Sequence, residues 1–350
     1  MNNRLFLDIH AIQTLPPSNI NRDDTGSPKT AQYGGVTRAR VSSQSWKKAI
    51  RLYFMQHEYG EVYSGKRTRQ IVKYIADEIR LLDDSLDEEK ALSLANQIIN
   101  DAGVTTKDFK AKALFFVSSE QAKALAKKAL EGNYKTKELK TLLNDKPSVD
   151  MALFGRMVAD DPSLNEDASC QVAHAVSTHA VQTEFDFYTA TDDLQEADNA
   201  GAGMLGTIEF NSSTLYRYAN VAIHELKKQL ENADFTVAAV QAFVDAFVKS
   251  MPTGHINSFA NQTLPSAVVV TLRSDRPVNL VTAFEDPVQP SDGYVDGSVK
   301  KLRKEFESVL KFVDAPLCTL TIGVNDLGDE QNTFQELIKR LSTEIAQALQ

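Results

Sequence analysis

The chain has 350 residues, 42% of them hydrophobic, and a formal net charge of −9. This length and composition are typical of a globular protein with one large or two ordinary domains. No apolar run approaches the roughly 20 residues that span a bilayer, and Asp8 interrupts the first apolar stretch, unlike a signal peptide. With only Cys170 and Cys318, far apart in sequence, we expect reduced thiols, a cytoplasmic location and no membrane partner.

The first sixty residues predict a strand, a long loop and a helix. Residues 4–14 place apolar side chains at every second position, which is typical of a strand. Two prolines at 16 and 17 then open a loop. A short extended piece at 36–41 is followed by serines that favour a helix N-terminus, and apolar residues recur at helical spacing from Trp46 to Phe54.

The sequence pattern changes in the middle of the chain. Helical patterns dominate residues 60–147, over 68–82, 88–102, 119–130 and 136–143, and predict a helical insertion. From residue 148 the pattern predicts strands again, at 149–157, 172–181, 207–223, 267–272 and 317–322. Helices are predicted at 236–249, 299–312 and 333–349, and a polar hairpin at 185–206.

Without the insertion, the order of elements is β-α-β-β-α-β and continues further. This is the order of the ferredoxin-like fold, which RNA-recognition modules share. The expected class is therefore α+β, although a fold alone does not define a function.

The charges are unevenly distributed. Residues 25–57 contain no Asp or Glu and carry +6, which leaves −15 for the rest of the chain. Such a local basic patch on an acidic protein fits a specific polyanion site, and chance clustering of solvated charges is the alternative. The six basic residues are Lys29, Arg38, Arg40, Lys47, Lys48 and Arg51.

The helix after residue 41 concentrates this charge. On a helical projection Gln44, Lys47, Lys48 and Arg51 share the face opposite the apolar stripe. Free backbone N–H groups at a helix N-terminus bind anions. With the hydroxyls of Ser42 and Ser45 nearby, these residues predict a phosphate site; a capped surface helix with solvated lysines is the plainer alternative.

The loop residues Asp23 and Asp24 could hold a divalent metal for catalysis. Paired carboxylates in such loops more often cap turns, and no third ligand is evident in the sequence. We therefore expect no metal, no cofactor and no catalytic residue.

Two other motifs lack the context that their chemistry needs. The glycines at 201, 203 and 206 match a dinucleotide-binding pattern, but no buried strand precedes them and no helix follows. His174 and His179 are five residues apart, which does not bring them together on a strand or a helix. The aromatic residues at 185–188 predict either a small local core or stacking on bases.

Several strings occur in a fixed order along residues 1 to about 225. They are Asn21-Arg22-Asp23-Asp24, Tyr33-Gly34-Gly35, Arg38 to Ser45, Phe154-Gly155-Arg156-Met157, Ala173 to His179, Asp192 to Glu196 and Tyr216 to Asn220. With these strings in this order, the sequence resembles the CasC family, the repeated backbone subunit of the type I-E CRISPR Cascade complex.

The resemblance implies a hand-shaped subunit. Its expected parts are a ferredoxin-like palm (1–59, 148–184 and 207–350, with web strands in the middle segment), helical fingers (60–147) and a thumb hairpin (185–206). Copies of such a subunit line up along CRISPR guide RNA beside other Cascade subunits, and target DNA pairs with the guide.

The resemblance also implies roles for individual residues. The positions that match phosphate contacts of the family are Arg22, Lys29, Ser42, Gln44, Lys47 and Arg51. Met157 matches a wedge against bases, and Phe187, Tyr188 and Leu205 match base-facing positions of the thumb. The chain departs from the family at Val36-Thr37, where basic residues are expected, and at Phe187-Tyr188, where a Trp is expected.

The sequence therefore predicts a non-catalytic RNA-binding scaffold. An enzyme, a metal-dependent ribonuclease using Asp23 and Asp24, is the first alternative. A helical module whose basic face binds an acidic protein is the second.

Overall fold

The structure is a computed structural model that describes residues 4–57, 59–190 and 204–350. The strands in these ranges are β1 (Phe6–Ser18), β2 (Thr30–Tyr33), β3 (Val36–Val41), β4 (Lys66–Thr68), β5 (Thr106–Lys107), β6 (Lys110–Ala111), β7 (Phe115–Val117), β8 (Cys170–Val172), β9 (Ala175–Ser177), β10 (Glu184–Ala190), β11 (Met204–Ala222), β12 (Ala267–Arg273), β13 (Cys318–Ile322) and β14 (Asp329–Glu330).

The helices are α1 (Ser43–Gln56), α2 (Ile71–Leu82), α3 (Glu88–Asp101), α4 (Ser119–Glu131), α5 (Thr136–Asn144), α6 (Val149–Phe154), α7 (Ile223–Leu230), α8 (Ala233–Lys249), α9 (Ile256–Phe259), α10 (Val295–Val309) and α11 (Phe334–Ala348). Short 3-10 helices occupy Pro162–Leu164 and Val281–Phe284.

A central, mostly antiparallel sheet organises the chain. Its strand order is β14-β13-β12-β1-β11-β9-β3-β2, and β8 and β10 also pair with β11. The long strand β1 pairs antiparallel with β11 on one side and with β12 on the other. The mixed α/β class predicted from the sequence is confirmed at this level.

Both faces of this sheet are covered. On one face Leu7 and Ile9 of β1 pack among residues of α1, α8 and α11. On the other face Ile12 packs with α10 and the 3-10 helix at 281–284. Polar residues on the second face are therefore buried rather than solvated: Asp8 accepts hydrogen bonds from the Tyr218 hydroxyl at 2.7 Å and the Val278 N–H at 3.0 Å.

The helices α2, α3, α4 and α5 enclose a second hydrophobic core of their own. Their sequence prediction is confirmed: α2 begins three residues later than predicted, after Gln70, and the other three helices begin at the predicted residues. Two small two-stranded antiparallel sheets, β4–β7 and β5–β6, belong to the same region.

The strand predicted at 149–157 is wrong. Residues Val149–Phe154 form the helix α6, which ends at Gly155 with a φ of +77°. In this short segment Asp150 is buried with its apolar neighbours, so the pattern does not distinguish a buried strand from a buried helix. Backbone N–H groups of Val149 and Asp150 donate to Val62 and Tyr63 carbonyls, which satisfies the start of this helix.

The segment predicted as one strand at 172–181 is divided into β8 and β9. Within the described ranges, no helix is long and apolar enough to cross a membrane.

Candidate nucleic-acid interface

Helix α1 is held in place at its N-terminus and along its apolar face. The Ser42 hydroxyl accepts a hydrogen bond from the Ser45 N–H at 3.3 Å, and the Ser42 N–H donates to the Asn21 side chain at 2.8 Å. Trp46 and Ile50 are buried against the sheet. The predicted Ser42 and Ser45 thus build the cap, and the opposite face of α1 points outward.

A buried arginine on β11 fixes the same helix to the sheet. Arg217 lies between the rings of Trp46, at 3.7 Å, and Phe247, at 4.4 Å, and donates to the Gln13 side chain and the Phe247 carbonyl. Burial lowers the pKa of Arg217 to about 9, so the guanidinium remains charged at neutral pH. This contact connects the basic helix to β1, β11 and α8.

The outward face of α1 lines a groove of about 800 Å³. One wall is formed by Gln44, Lys47, Lys48 and Arg51, the next by β4 and β7, and the third by the segments at 154–157 and 165–168. Among the described residues, neither Lys47 nor Lys48 has a carboxylate oxygen within 4.0 Å of its ammonium group. These two cations are therefore available to an anion in the groove.

Met157 projects into the groove because the two residues before it are fixed. Gly155 approaches the 166–168 segment so closely that a Cβ would lie 2.8 Å from the Glu166 carbonyl oxygen. The buried Arg156 donates to the carbonyls of Leu164 and Leu143 at 2.7 and 2.8 Å, and burial lowers its pKa to about 10. Met157 is left 84% exposed.

Arg51 lines the groove but has an internal partner. Its Nε lies 2.7 Å from Oδ2 of Asp150, a fully buried carboxylate, and its Nη2 donates to the Gly65 carbonyl at 3.1 Å. The guanidinium also covers the Phe116 ring at 4.5 Å. The primary role of Arg51 in this structure is therefore to hold the junction of the two cores.

This role predicts a large stability effect. Replacing Arg51 by Ala leaves the Asp150 carboxylate buried without its cation, which costs about 3 kcal/mol in the free energy of unfolding. Urea denaturation should show it as a lower midpoint with an unchanged slope. A Lys48→Ala variant is the matched control and should unfold like the parent; an Arg51→Ala protein as stable as the parent would refute the role.

The prediction that Arg38 binds RNA needs correction. Its side chain is fully buried and donates to the carbonyls of Tyr33, Ser177 and Phe284 at 3.0, 3.1 and 2.8 Å. Gly34, with φ +60°, packs against the Glu285 carbonyl where a Cβ would overlap it. Arg38 thus fastens the β2–β3 hairpin to the 284–285 segment, and a phosphate cannot reach it.

The other predicted cations lie outside the groove. Lys29 and Arg40 line a small neighbouring depression. Arg40 Nη1 lies 3.2 Å from His174 Nδ1. Burial lowers the pKa of His174, and the positive charges of Arg40 and Lys29 lower it further. Arg22 lies 3.0 Å from His255 Nε2. The groove therefore gathers Gln44, Lys47, Lys48, Arg51 and Met157 of the predicted set, and Arg22, Lys29 and Arg40 remain predictions for adjoining surface.

Strands β10 and β11 form a two-stranded ribbon, residues 184–190 and 204–210. Phe187 pairs with Thr207, and Thr189 pairs with Leu205, so Phe185, Phe187 and Leu205 share one face. These side chains are 68%, 64% and 61% exposed. The ribbon therefore presents an apolar face without a core beneath it.

Tyr188 does not share that face. It pairs with Gly206 and packs across it so closely that a Cβ there would overlap the phenol ring. Of the three positions matched to the base-facing side of the thumb, Phe187 and Leu205 therefore share one face, and strand alternation places Tyr188 on the other. Residues 191–203, with the acidic string at 192–196 and Gly201 and Gly203, lie outside the described residues.

The loop carboxylate Asp23 caps a turn. Its Oδ1 accepts from the Thr25 hydroxyl at 2.7 Å and from the N–H groups of Thr25 and Ser27 at 2.9 and 3.0 Å, and these bonds lower the Asp23 pKa. Within the described ranges, no three His, Cys, Asp or Glu side chains are grouped so that they could hold a metal ion.

Two solved structures resemble the whole chain, and both belong to one class of assembly. A chain of "CRISPR RNA-guided surveillance complex, pre-nicking" is 33% identical, with a TM-score of 0.86, covering 97% of this chain and 100% of that one. A chain of "CRISPR RNA-guided surveillance complex" is 29% identical, with a TM-score of 0.75, covering 97% and 99%.

Residues 7–345 match the model of the CT1975-like protein family, Cas_CT1975, and the chain belongs to that family. The prediction of a Cas subunit of a Cascade-type complex is thereby confirmed. No curated protein matches the chain significantly.

Sequence reasoning missed two residues that the structure places in the groove, Arg67 and Phe116. Phe185, which belongs to the aromatic cluster noted at 185–188, completes the apolar face of the ribbon. The alternation of Phe185 and Phe187 could have assigned both to one face.

Proposed function

We propose that this chain is a non-catalytic scaffold that binds CRISPR guide RNA along the groove and presents it for pairing with target DNA. The observation that carries the proposal is that Lys47 and Lys48, which form no ion pair with a described residue, line the same groove as the exposed Met157. Cations position a phosphate backbone, and an apolar wedge separates bases without reading them.

This chemistry suits a guide of any sequence. A protein that holds variable RNA must contact backbone and shape, since contacts to base edges would restrict the sequence. In the groove, the ammonium groups of Lys47 and Lys48 and the Gln44 amide are suited to phosphate and sugar oxygens. Binding to poly-U and poly-A of equal length, measured by fluorescence anisotropy, should therefore give similar affinities, whereas a strong preference for one sequence would contradict the proposal.

The finer architecture is part of the proposal. Strand order β12-β1-β11-β8, with α1 and α8 on one face, supports a ferredoxin-like palm. The separate core of α2–α5 supports fingers at 60–147, and the ribbon supports a thumb at 185–206. With the fingers and the thumb so defined, the segments 1–59, 148–184 and 207–350 form the palm.

The exposed face of the ribbon supports the proposed partners. Three large apolar side chains in a row on a narrow ribbon are costly to leave in water. Bases of the RNA and a second copy of this chain would cover them in a repeated array, next to other Cascade subunits in the cytoplasm. The related structures are chains of RNA-guided surveillance complexes, which agrees with this assignment.

The ribonuclease alternative gives a different result for Asp23. In our proposal Asp23 only caps its turn. With Mg²⁺ present, a complementary RNA should therefore stay intact with complexes assembled from either the parent chain or the Asp23→Ala variant. Gel analysis of labelled RNA over several hours tests this. Cleavage by the parent that disappears in the variant would favour the enzyme.

The second alternative, a basic face for an acidic protein, is distinguished by what copurifies. Short RNA of uniform length supports the scaffold, and its absence in the presence of a stoichiometric acidic protein supports the alternative.

A further inference from the structure

A second stretch without carboxylates lies in the region of the second core. Residues 62–76 contain Lys66, Arg67, Arg69 and Lys73 and no Asp or Glu, so they carry +4. The strand β4 at 66–68 belongs to this stretch, and its Arg67 lines the groove together with the basic residues of α1.

Strand pairing determines which of these cations faces the groove. In the antiparallel β4–β7 pair, Arg67 is opposite Phe116, with Lys66 opposite Val117. Phe115 and Val117 belong to the second core. Since successive side chains of a strand alternate, Arg67 and Phe116 share the other face, which lines the groove.

The neighbours of Arg67 are already engaged. The Lys66 ammonium lies 3.9 Å from the centre of the Tyr74 ring, and Arg69 Nε donates to the Ala111 carbonyl at 3.1 Å. Arg67 is exposed and forms neither an ion pair nor a side-chain hydrogen bond with any described residue. The Arg67 guanidinium is therefore the cation on this wall that is available to an anion in the groove.

We propose that Arg67 is a phosphate-binding residue of the groove, so that a single-stranded phosphodiester backbone is held from two sides, by α1 and by β4. Phe116 lies between Arg67, its cross-strand partner, and the Arg51 guanidinium above its ring. Glu166 and Asp167 line the third wall and repel phosphates, which directs the backbone between the two basic walls. This inference rests on the proposed function and adds a contact that no motif indicated.

Arginine suits this position for a physical reason. Its planar fork of N–H donors can bind two phosphate oxygens at once, and it stacks on aromatic faces. A lysine at the same place keeps the charge but loses the bidentate geometry.

The test compares Arg67→Gln with Arg80→Gln, which removes the same charge from the exposed end of α2. Binding of the purified chain to labelled poly-U is measured from 0.05 to 0.5 M salt, with thermal unfolding as a check on folding. Arg67→Gln should lower the slope of log affinity against log salt by about 0.7 and weaken binding about fourfold at 0.15 M salt. Arg67→Lys should restore the slope, and Arg80→Gln should match the parent.

The outcomes separate this inference from the proposed function. If Arg67→Gln binds like Arg80→Gln while Lys47→Ala, Lys48→Ala weakens binding, the role of Arg67 is wrong and the groove on α1 stands. If the unaltered chain does not bind poly-U at low salt, both are wrong.

Discussion

Replacing Phe185, Phe187 and Leu205 together by serine will prevent regular arrays on RNA while the subunit remains folded. The three side chains share one exposed face of the ribbon and belong to neither core, so their removal costs the isolated subunit little. In the array, stacking of bases on aromatic side chains contributes about 1–3 kcal/mol per base. Two aromatic residues per copy therefore account for about 2–6 kcal/mol in each repeat.

Electron microscopy of the chain on a long single-stranded RNA is the measurement, with circular dichroism to verify the fold. The matched control changes Leu81, Leu82 and Phe109 to serine, which are also exposed and apolar but lie outside the ribbon. The control should form arrays of normal repeat. Normal arrays from the ribbon variant would show that this face does not contact RNA or a neighbouring copy.

The second large effect concerns the lysines of α1. A Lys47→Ala, Lys48→Ala variant should bind single-stranded RNA with a salt slope lower by about 1.4, because each lost phosphate contact removes about 0.7. At 0.15 M salt this corresponds to a loss of affinity of about tenfold to twentyfold, similar for all RNA sequences.

The control for this variant is Lys300→Ala, Lys304→Ala. These lysines are exposed on α10, which covers the opposite face of the sheet from α1. Equal charge loss there should leave the slope unchanged. If both double variants lose affinity equally, binding depends on overall charge and the groove has no special role.

Local patterns in the sequence account for much of the fold. The serine caps and the apolar stripe predicted α1, alternation predicted β1, and helical periodicity predicted α2 to α5. At 149–154 the period of the pattern failed, because Asp150 is buried with its apolar neighbours and so short a buried segment shows no polar face in either a helix or a strand.

The candidate site was predicted less evenly, and the reason is that sequence shows a charge but not its partner. Arg51 pairs with Asp150, which is 99 positions away, and Arg38 donates to carbonyls of residues 177 and 284. Arginines satisfy several buried acceptors at once. In the basic run Arg38 and Arg51 therefore hold the fold, while Lys47 and Lys48 form no ion pair with a described residue and line the groove.

We expect copies of this chain to line up along RNA that they do not cut. Native mass spectrometry of the purified chain with single-stranded RNAs of increasing length tests it most directly, since one spectrum gives the number of copies and the mass of the RNA. The account predicts that the number of bound copies rises in regular steps with RNA length and that every RNA keeps its full mass. A single copy at every length, or RNA that becomes shorter with time, would contradict it.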